Sequence, residues 1–242
     1  MKFALISDVH GNLEALEDVL RDIEKQGVEK IHFLGDVVGY GCNPNECVRL
    51  IDKHCDIKLL GNHDYAVMGL EQSENFNQIA RVSMDWTVKK IKKKSIQILA
   101  DFEMSSTFLD YFLVHASPDE PDSWTYILDV NGARDNFDEF SQSVCMVGHT
   151  HVPTCFILDK ENTIFQQTGE SIKRVDGHKY IINIGSVGQP RDNDPRACYL
   201  IVDTDTDTMY YRRVEYDIGK TQDKMKRAKL PEFLIERLAI GV

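Results

Sequence analysis

The chain has 242 residues, with 28 Lys and Arg against 39 Asp and Glu, giving a formal net charge of −11. Hydrophobic residues make up 42% and charged residues 28%, enough apolar material for a full core, which excludes disorder as the main state. No apolar stretch approaches the roughly 18 residues of a membrane span, and the acidic balance opposes a general nucleic-acid binder, which needs a basic face.

Lys2–Ile6 reads as a buried strand running into a polar loop, too short for a signal sequence. Asn12 then offers an N-cap, Leu13, Leu16, Val19, Leu20 and Ile23 recur at helical spacing, and Gly27 supplies the stop. Apolar runs at Ile31–Leu34 and Ile57–Leu60 end at Gly35-Asp36 and at Gly61-Asn62-His63-Asp64. Strand, polar loop, helix and strand in this order mark an α/β unit with parallel strands, whose ligands gather at the carboxyl ends. The spacing predicts a helix between Phe76 and Leu99, with Phe76, Ile79, Val82, Trp86 and Ile91 on one side. Lys89, Lys90, Lys92, Lys93 and Lys94 at its end read as a solvated helix terminus that complements the dipole. Tyr111–Val114 and Val144–Val147 are further strands, ending at His115 and at Gly148-His149-Thr150-His151. Beyond them, Thr154–Leu158, Thr163–Gln167, Tyr180–Ile184, Ala197–Val202 and Met209–Val214 predict mostly antiparallel sheet, and a last helix starts near Pro231. With no linker between the halves, residues 1–242 read as one domain with two sheets. The six cysteines form no C-x-x-C pair and read as reduced thiols of a cytoplasmic protein, mostly buried in strands. Cys42, Cys47 and Cys55 lack a fourth ligand at zinc spacing.

Five of the eight histidines, His10, His63, His115, His149 and His151, fall at strand ends beside Asp, Asn or Gly. His32, His54 and His178 lack that context and read as structural. Asp8-Val9-His10 presents a carboxylate and an imidazole two residues apart, so both can face one ion. His149-Thr150-His151 does the same with two imidazoles. Asp36 and Asn62 each follow a glycine that lets the backbone turn tightly. Oxygen and imidazole donors without thiolate suit Mn, Fe, Zn, Ni or Co. Two such ions about 3.5–4 Å apart serve in-line displacement at phosphorus.

Asp8-Val9-His10-Gly11-Asn12, Gly35-Asp36, Gly61-Asn62-His63-Asp64, Val114-His115 and Gly148-His149-Thr150-His151 stand in this order along the chain. Together they resemble the signature of the calcineurin-like metallophosphoesterases. With Gly39-Tyr40-Gly41 and Asn183-Ile184-Gly185-Ser186-Val187-Gly188, they are most similar to the small bacterial and archaeal, phosphodiesterase-type branch. The resemblance implies a four-layer α/β/β/α sandwich, two mixed sheets flanked by helices. It implies two divalent cations, one on Asp8, His10 and His151, the other on Asn62, His115 and His149, with Asp36 bridging. It implies attack by a metal-bound hydroxide on a small phosphodiester or phosphomonoester, with His63 as the general acid. Protein phosphatases of the superfamily carry Asp-Arg after the second motif; Gly39-Tyr40 here disfavours a phosphoprotein substrate. Arg191 is the candidate substrate-binding residue, Tyr40 and Tyr126 candidate walls of the pocket, and Asp64 either a support for His63 or a structural hydrogen-bonding residue of its turn. The alternatives are a non-catalytic scaffold, which would lack a ligand or His63, and a nuclease, which only Lys89–Lys94 favours.

Overall fold

The computed structural model describes residues 1–70 and 76–242. The first sheet contains β1 (Lys2–Ile6), β2 (Lys30–Phe33), β3 (Ile57–Lys58), β9 (Ser171–Lys173), β11 (Ala197–Asp203) and β12 (Thr208–Val214), in the order β3-β2-β1-β11-β12-β9. The second contains β4 (Ser105–Phe108), β5 (Tyr111–Val114), β6 (Val144–Val147), β7 (Thr154–Leu158), β8 (Ile164–Gln167) and β10 (Lys179–Asn183), in the order β4-β5-β6-β10-β7-β8. Both are mixed. β1 runs parallel to β2 and antiparallel to β11, and β10 runs parallel to β6 and antiparallel to β7.

Alternation along the strands builds the layers. On β1, Phe3 and Leu5 face the second sheet, where they meet Tyr111, Met146 and Ile182. Ala4 and Ile6 point the other way, against α1 (Leu13–Lys25) and α2 (Pro44–His54), through Leu16, Val19, Val48 and Ile51. Each large side chain so buried contributes about 1.5–3 kcal/mol. The outer face of the second sheet, Cys145, Val147 and Ile181, is covered by Ala133 of α6 (Val130–Arg134) and by Phe137 and Phe140. The result is the expected four-layer α/β/β/α sandwich of two mixed sheets flanked by helices.

Asn12 caps α1 as expected, its side chain accepting from the Ala15 N–H at 3.2 Å. Two local readings change. The segment between Phe76 and Leu99 forms two helices, α4 (Gln78–Lys90) and α5 (Lys93–Leu99). Asn45 on α2 makes the break: its Nδ2 donates to the Lys90 carbonyl at 3.0 Å, and its Oδ1 accepts from the Lys92 N–H at 2.7 Å and from Ser95 Oγ at 2.9 Å. α4 buries Ala80, Ser83, Met84 and Thr87, while Ile79 and Val82 are exposed, because Phe76 precedes the helix and shifts the apparent stripe. The late strands pair mostly antiparallel, as expected, β7 with β8 and β10, and β12 with β11 and β9, and β9, β11 and β12 complete the sheet begun by the N-terminal strands.

Candidate metal centre

The loops after β1, β2, β5 and β6, with α3 (Asn62–Val67) following β3, converge at one edge of the sandwich. Backbone hydrogen bonds lock them together: Asp8 N–H to Gly35 O at 2.9 Å, His10 N–H to Asp36 O at 3.0 Å, and Gly188 N–H to Asp8 O at 2.9 Å. Asp8, His10, Asp36, His149 and His151 all have positive φ, between 48° and 66°. That conformation is unfavourable for residues with a Cβ and persists only where the surroundings impose it. Two successive turns of this kind bring side chains two residues apart to one point. The glycines before Asp36 and Asn62 differ in purpose. Gly35 does turn, with φ +103°, whereas Gly61 supplies space, since a Cβ there would lie 2.1 Å from Asp36 Oδ1.

Four imidazoles are oriented by backbone carbonyls, which only accept. His10 Nδ1 donates to Val38 O at 3.0 Å, His115 Nδ1 to Leu34 O at 2.7 Å, and His151 Nδ1 to Gln189 O at 2.6 Å. His149 is turned the other way, its Nε2 donating to Trp124 O at 3.0 Å. When neutral, each ring therefore presents a lone pair to the centre, the usual arrangement of a metal-ligating histidine. His10 Nε2 and His151 Nε2 then face each other at 3.0 Å with no proton between them. Burial presses both rings further toward neutrality. Two apposed lone pairs repel; a cation between them removes the conflict.

The carboxylates complete the arrangement. Asp8 Oδ1 lies 3.2 Å from His151 Nε2 and 3.8 Å from His10 Nε2. Asp36 Oδ2 sits between the two halves, 3.6 Å from His10 Nε2 and 3.5 Å from His115 Nε2. Its other oxygen accepts from the His63 N–H at 2.9 Å. Asp8, His10 and His151 form one group of potential ligands, and Asp36, His115 and His149 another, each with donor atoms within 4.8 Å of one another. Asp8 Oδ1, Asn62 Oδ1 and His115 Nε2 are buried with no hydrogen-bond partner among the described residues. Buried polar atoms are rarely left so; these fit two cations. Burial works to raise both Asp8 and Asp36, but the surrounding imidazoles outweigh it and hold both carboxyls well below their usual range. Burial likewise opposes a proton on His115, yet Asp36 prevails and lifts that ring to about 9, so a positive charge is favoured there.

His63 is buried, its ring against His10, Tyr40 and Phe76 at centroid distances of 4.6 to 4.8 Å. A side chain at Gly39 would fall 2.3 Å from His63 Nδ1. Burial outweighs the opposing Asp36 charge and presses this ring down to about 4. Its donor atoms also lie within 4.8 Å of those of His10 and Asp36, so distance alone does not separate it from the ligands. Asp64 does not reach the His63 ring. Its carboxylate accepts from the N–H groups of Asp36, Val37, Val38 and Gly61 at 2.7 to 3.2 Å, tying the second and third motifs together.

A cleft of about 510 Å³ opens over the centre, bordered by Tyr40, Asn62, His63, Trp124, Tyr126 and Arg191. Tyr126 stacks on His149 at 4.0 Å, and the Arg191 guanidinium lies over the Tyr40 ring. His32 stays outside, packed between Phe3 and Phe108. The cysteine expectation holds for half of them: Cys145, Cys155 and Cys198 are buried in strands, while Cys42, Cys47 and Cys55 lie on or beside α2. Sequence reasoning gave no role to Trp124, Gln189, Val38 or Leu34, whose hold on the imidazoles runs through backbone carbonyls and leaves no side-chain signal. Ser186 could have been found from its motif: its Oγ donates to Asp8 O at 2.8 Å.

Residues 1–207 match the model of the calcineurin-like phosphoesterase superfamily domain. The chain belongs to this superfamily. Its members typically depend on two metal ions, and the paired ligand groups agree with that. A metallophosphoesterase from Sphaerobacter thermophilus is 42% identical in sequence, and its crystal structure superposes with a TM-score of 0.87 over 100% of this chain and 99% of that one. MJ0912 of Methanocaldococcus jannaschii, a protein of uncharacterised function, is 41% identical over 98% of this chain and 97% of its own length. PH1004 of Pyrococcus horikoshii OT3, at 19% identity and a TM-score of 0.79 over 100% and 98% of the two chains, shares the fold. Among the described residues, no helix of this calcineurin-like phosphoesterase is long and apolar enough to cross a membrane.

Proposed function

We propose that residues 1–242 act as one cytoplasmic domain that hydrolyses a small phosphate ester, a diester in preference to a monoester. The observation that carries this reading is the apposition of His10 Nε2 and His151 Nε2 at 3.0 Å, with Asp36 Oδ2 between His10 and His115. Asp8, His10 and His151 would hold one divalent cation and Asn62, His115 and His149 the other, with Asp36 shared. The donor set suits Mn, Fe, Zn, Ni or Co. Such ions, when bound, polarise phosphoryl oxygens and lower the pKa of water. The chain supplies the rest. Backbone carbonyls fix the imidazoles before substrate arrives, so little reorganisation accompanies the reaction. Arg191 offers a charged fork to a phosphate oxygen at the rim of the cleft. His63, held neutral mainly by burial in the free protein, would take a proton from solvent when an anionic phosphate beside it favours the charged ring, and would pass that proton to the leaving oxygen. Side clefts of about 400 and 500 Å³ flank the central one and share Tyr126 and Arg191 with it, which gives room for an organic group on each side of the phosphorus. That favours a diester. The net charge of −11 opposes a polynucleotide substrate.

Hydrolysis of bis-p-nitrophenyl phosphate and p-nitrophenyl phosphate by metal-stripped protein, with Mn²⁺, Ni²⁺, Zn²⁺ or Mg²⁺ added back, tests the reading. Metal-dependent turnover with the diester preferred is expected. Absence of turnover in protein shown to hold two ions would overturn it.

A further inference from the structure

Five arginines are half-buried among the described residues: Arg174, Arg191, Arg212, Arg213 and Arg237. Three hold aspartates, Arg174 with Asp110, Arg212 with Asp22, and Arg213 with Asp192. Arg191 and Arg237 are the exceptions. Among the described residues neither pairs with an Asp or Glu side chain, although the protein carries an excess of eleven acidic groups over basic ones; Arg237 Nε donates to the main-chain oxygen of Val242. Their Nη groups converge on one neutral atom. Gln189 Oε1 accepts from Arg191 Nη2 at 2.9 Å and from Arg237 Nη1 at 3.2 Å. Two cations sharing one uncharged acceptor repel each other, and an anion between their remaining donors relieves that repulsion. Burial, then the charge of Arg191, presses the Arg237 guanidinium down to about 10, and Arg191 Nε is buried without a partner.

The pair is held in place. Arg191 lies over Tyr40 at 5.8 Å and Arg237 over Phe233 at 5.0 Å, so both planar forks rest on aromatic faces. Gln189 is anchored to the centre, its backbone carbonyl accepting from His151 Nδ1, and Arg191 N–H reaches back to His151 O at 3.3 Å. The two guanidiniums border a side cleft of about 500 Å³ that adjoins the central one along Tyr40, Tyr126 and Arg191.

We infer that Gln189, Arg191 and Arg237 form a second anion subsite, Arg191 standing between it and the central cleft and serving both, and that the natural substrate carries a phosphoryl group besides the one hydrolysed. This rests on the phosphoesterase reading and narrows its substrate class to doubly phosphorylated esters. Arg237 gives the subsite its second charge; the hydroxyl-free Phe233 face and the Tyr126 ring bound the space that the intervening organic group would cross.

A matched pair of compounds tests it: thymidine 5′-(p-nitrophenyl phosphate) and the same compound bearing a 3′-phosphate. With metal-reconstituted protein, the 3′-phosphorylated compound should show a kcat/KM at least tenfold higher, mainly through KM. Arg237→Gln should bring the ratio close to one, and Arg237→Lys should restore part of it. A ratio near one in the wild type, or a ratio unchanged in Arg237→Gln, would overturn the subsite. If neither compound is turned over, the phosphoesterase reading fails, and equilibrium binding of the same two compounds decides the subsite separately. A binding preference for the doubly phosphorylated compound that Arg237→Gln abolishes would support it; equal binding would overturn it.

Discussion

His63 shares its surroundings with the ligand residues but differs from them in one respect. His10, His115, His149 and His151 each donate to a backbone carbonyl that fixes the ring, whereas His63 Nδ1 is buried with no partner among the described residues. A ring free to gain or lose a proton suits proton transfer better than ligation. His63→Ala should therefore lower turnover by about 10²- to 10⁴-fold while metal content stays near that of the wild type. Loss of an ion from this variant would make His63 a ligand, as its distance from His10 and Asp36 also permits. At this scale the sequence was informative about residue types: Asp8, His10, Asp36, His115, His149 and His151 come together as the motif spacing indicated. It was silent about the positive φ values and about the carbonyls of Leu34, Val38, Trp124 and Gln189, because a backbone acceptor has the same composition at every position.

Between elements, single polar side chains decide the geometry. Asp64, third residue of α3, gathers four N–H groups from two loops, and it stays buried although burial and the Asp36 charge push its carboxyl up to about 7. Asp64→Ala leaves these donors unpaired and should destabilise the protein by roughly 2–4 kcal/mol, read as a lower urea midpoint in the metal-free protein. A midpoint within experimental error of the wild type would contradict the anchoring role. Asn45 works similarly at the break between α4 and α5. Strand and helix positions were largely legible, since β1, β5, β6 and β7 follow their apolar runs to the residue. The α4–α5 break was not, because Ile91-Lys92 carries no Gly or Pro and the cause lies 45 residues away on α2. β4 and β9 also escaped notice: Ser105–Phe108 and Ser171–Lys173 are short polar edge strands with little apolar pattern.

For the whole molecule, pairing of β1 with both β2 and β11 unites the two ends of the chain in one sheet, a contact that no local pattern announces. The space between the sheets also holds a titratable group. His32 on β2 is fully buried against Phe3 and Phe108, and burial lowers its ring to about 4. In the unfolded chain a histidine takes its proton near pH 6.5. The unfolded state therefore binds more protons between these values, so the stability due to neutral His32 is present above about pH 6.5 and lost as the pH falls toward 4. The loss amounts to at most about 3 kcal/mol. His32→Leu should flatten the fall of the urea midpoint between pH 7 and 4; parallel curves for the two proteins would contradict this. The candidate ligands likewise span the molecule, with Asp8, His10 and Asp36 from the first sheet and His115, His149 and His151 from the second. The most direct test is the metal stoichiometry of the stripped and reconstituted protein, measured by mass spectrometry for the wild type and for Asp36→Asn. Two ions per chain in the wild type and one or none in Asp36→Asn are predicted; fewer than two in the wild type, or two retained in Asp36→Asn, would contradict a shared two-cation centre.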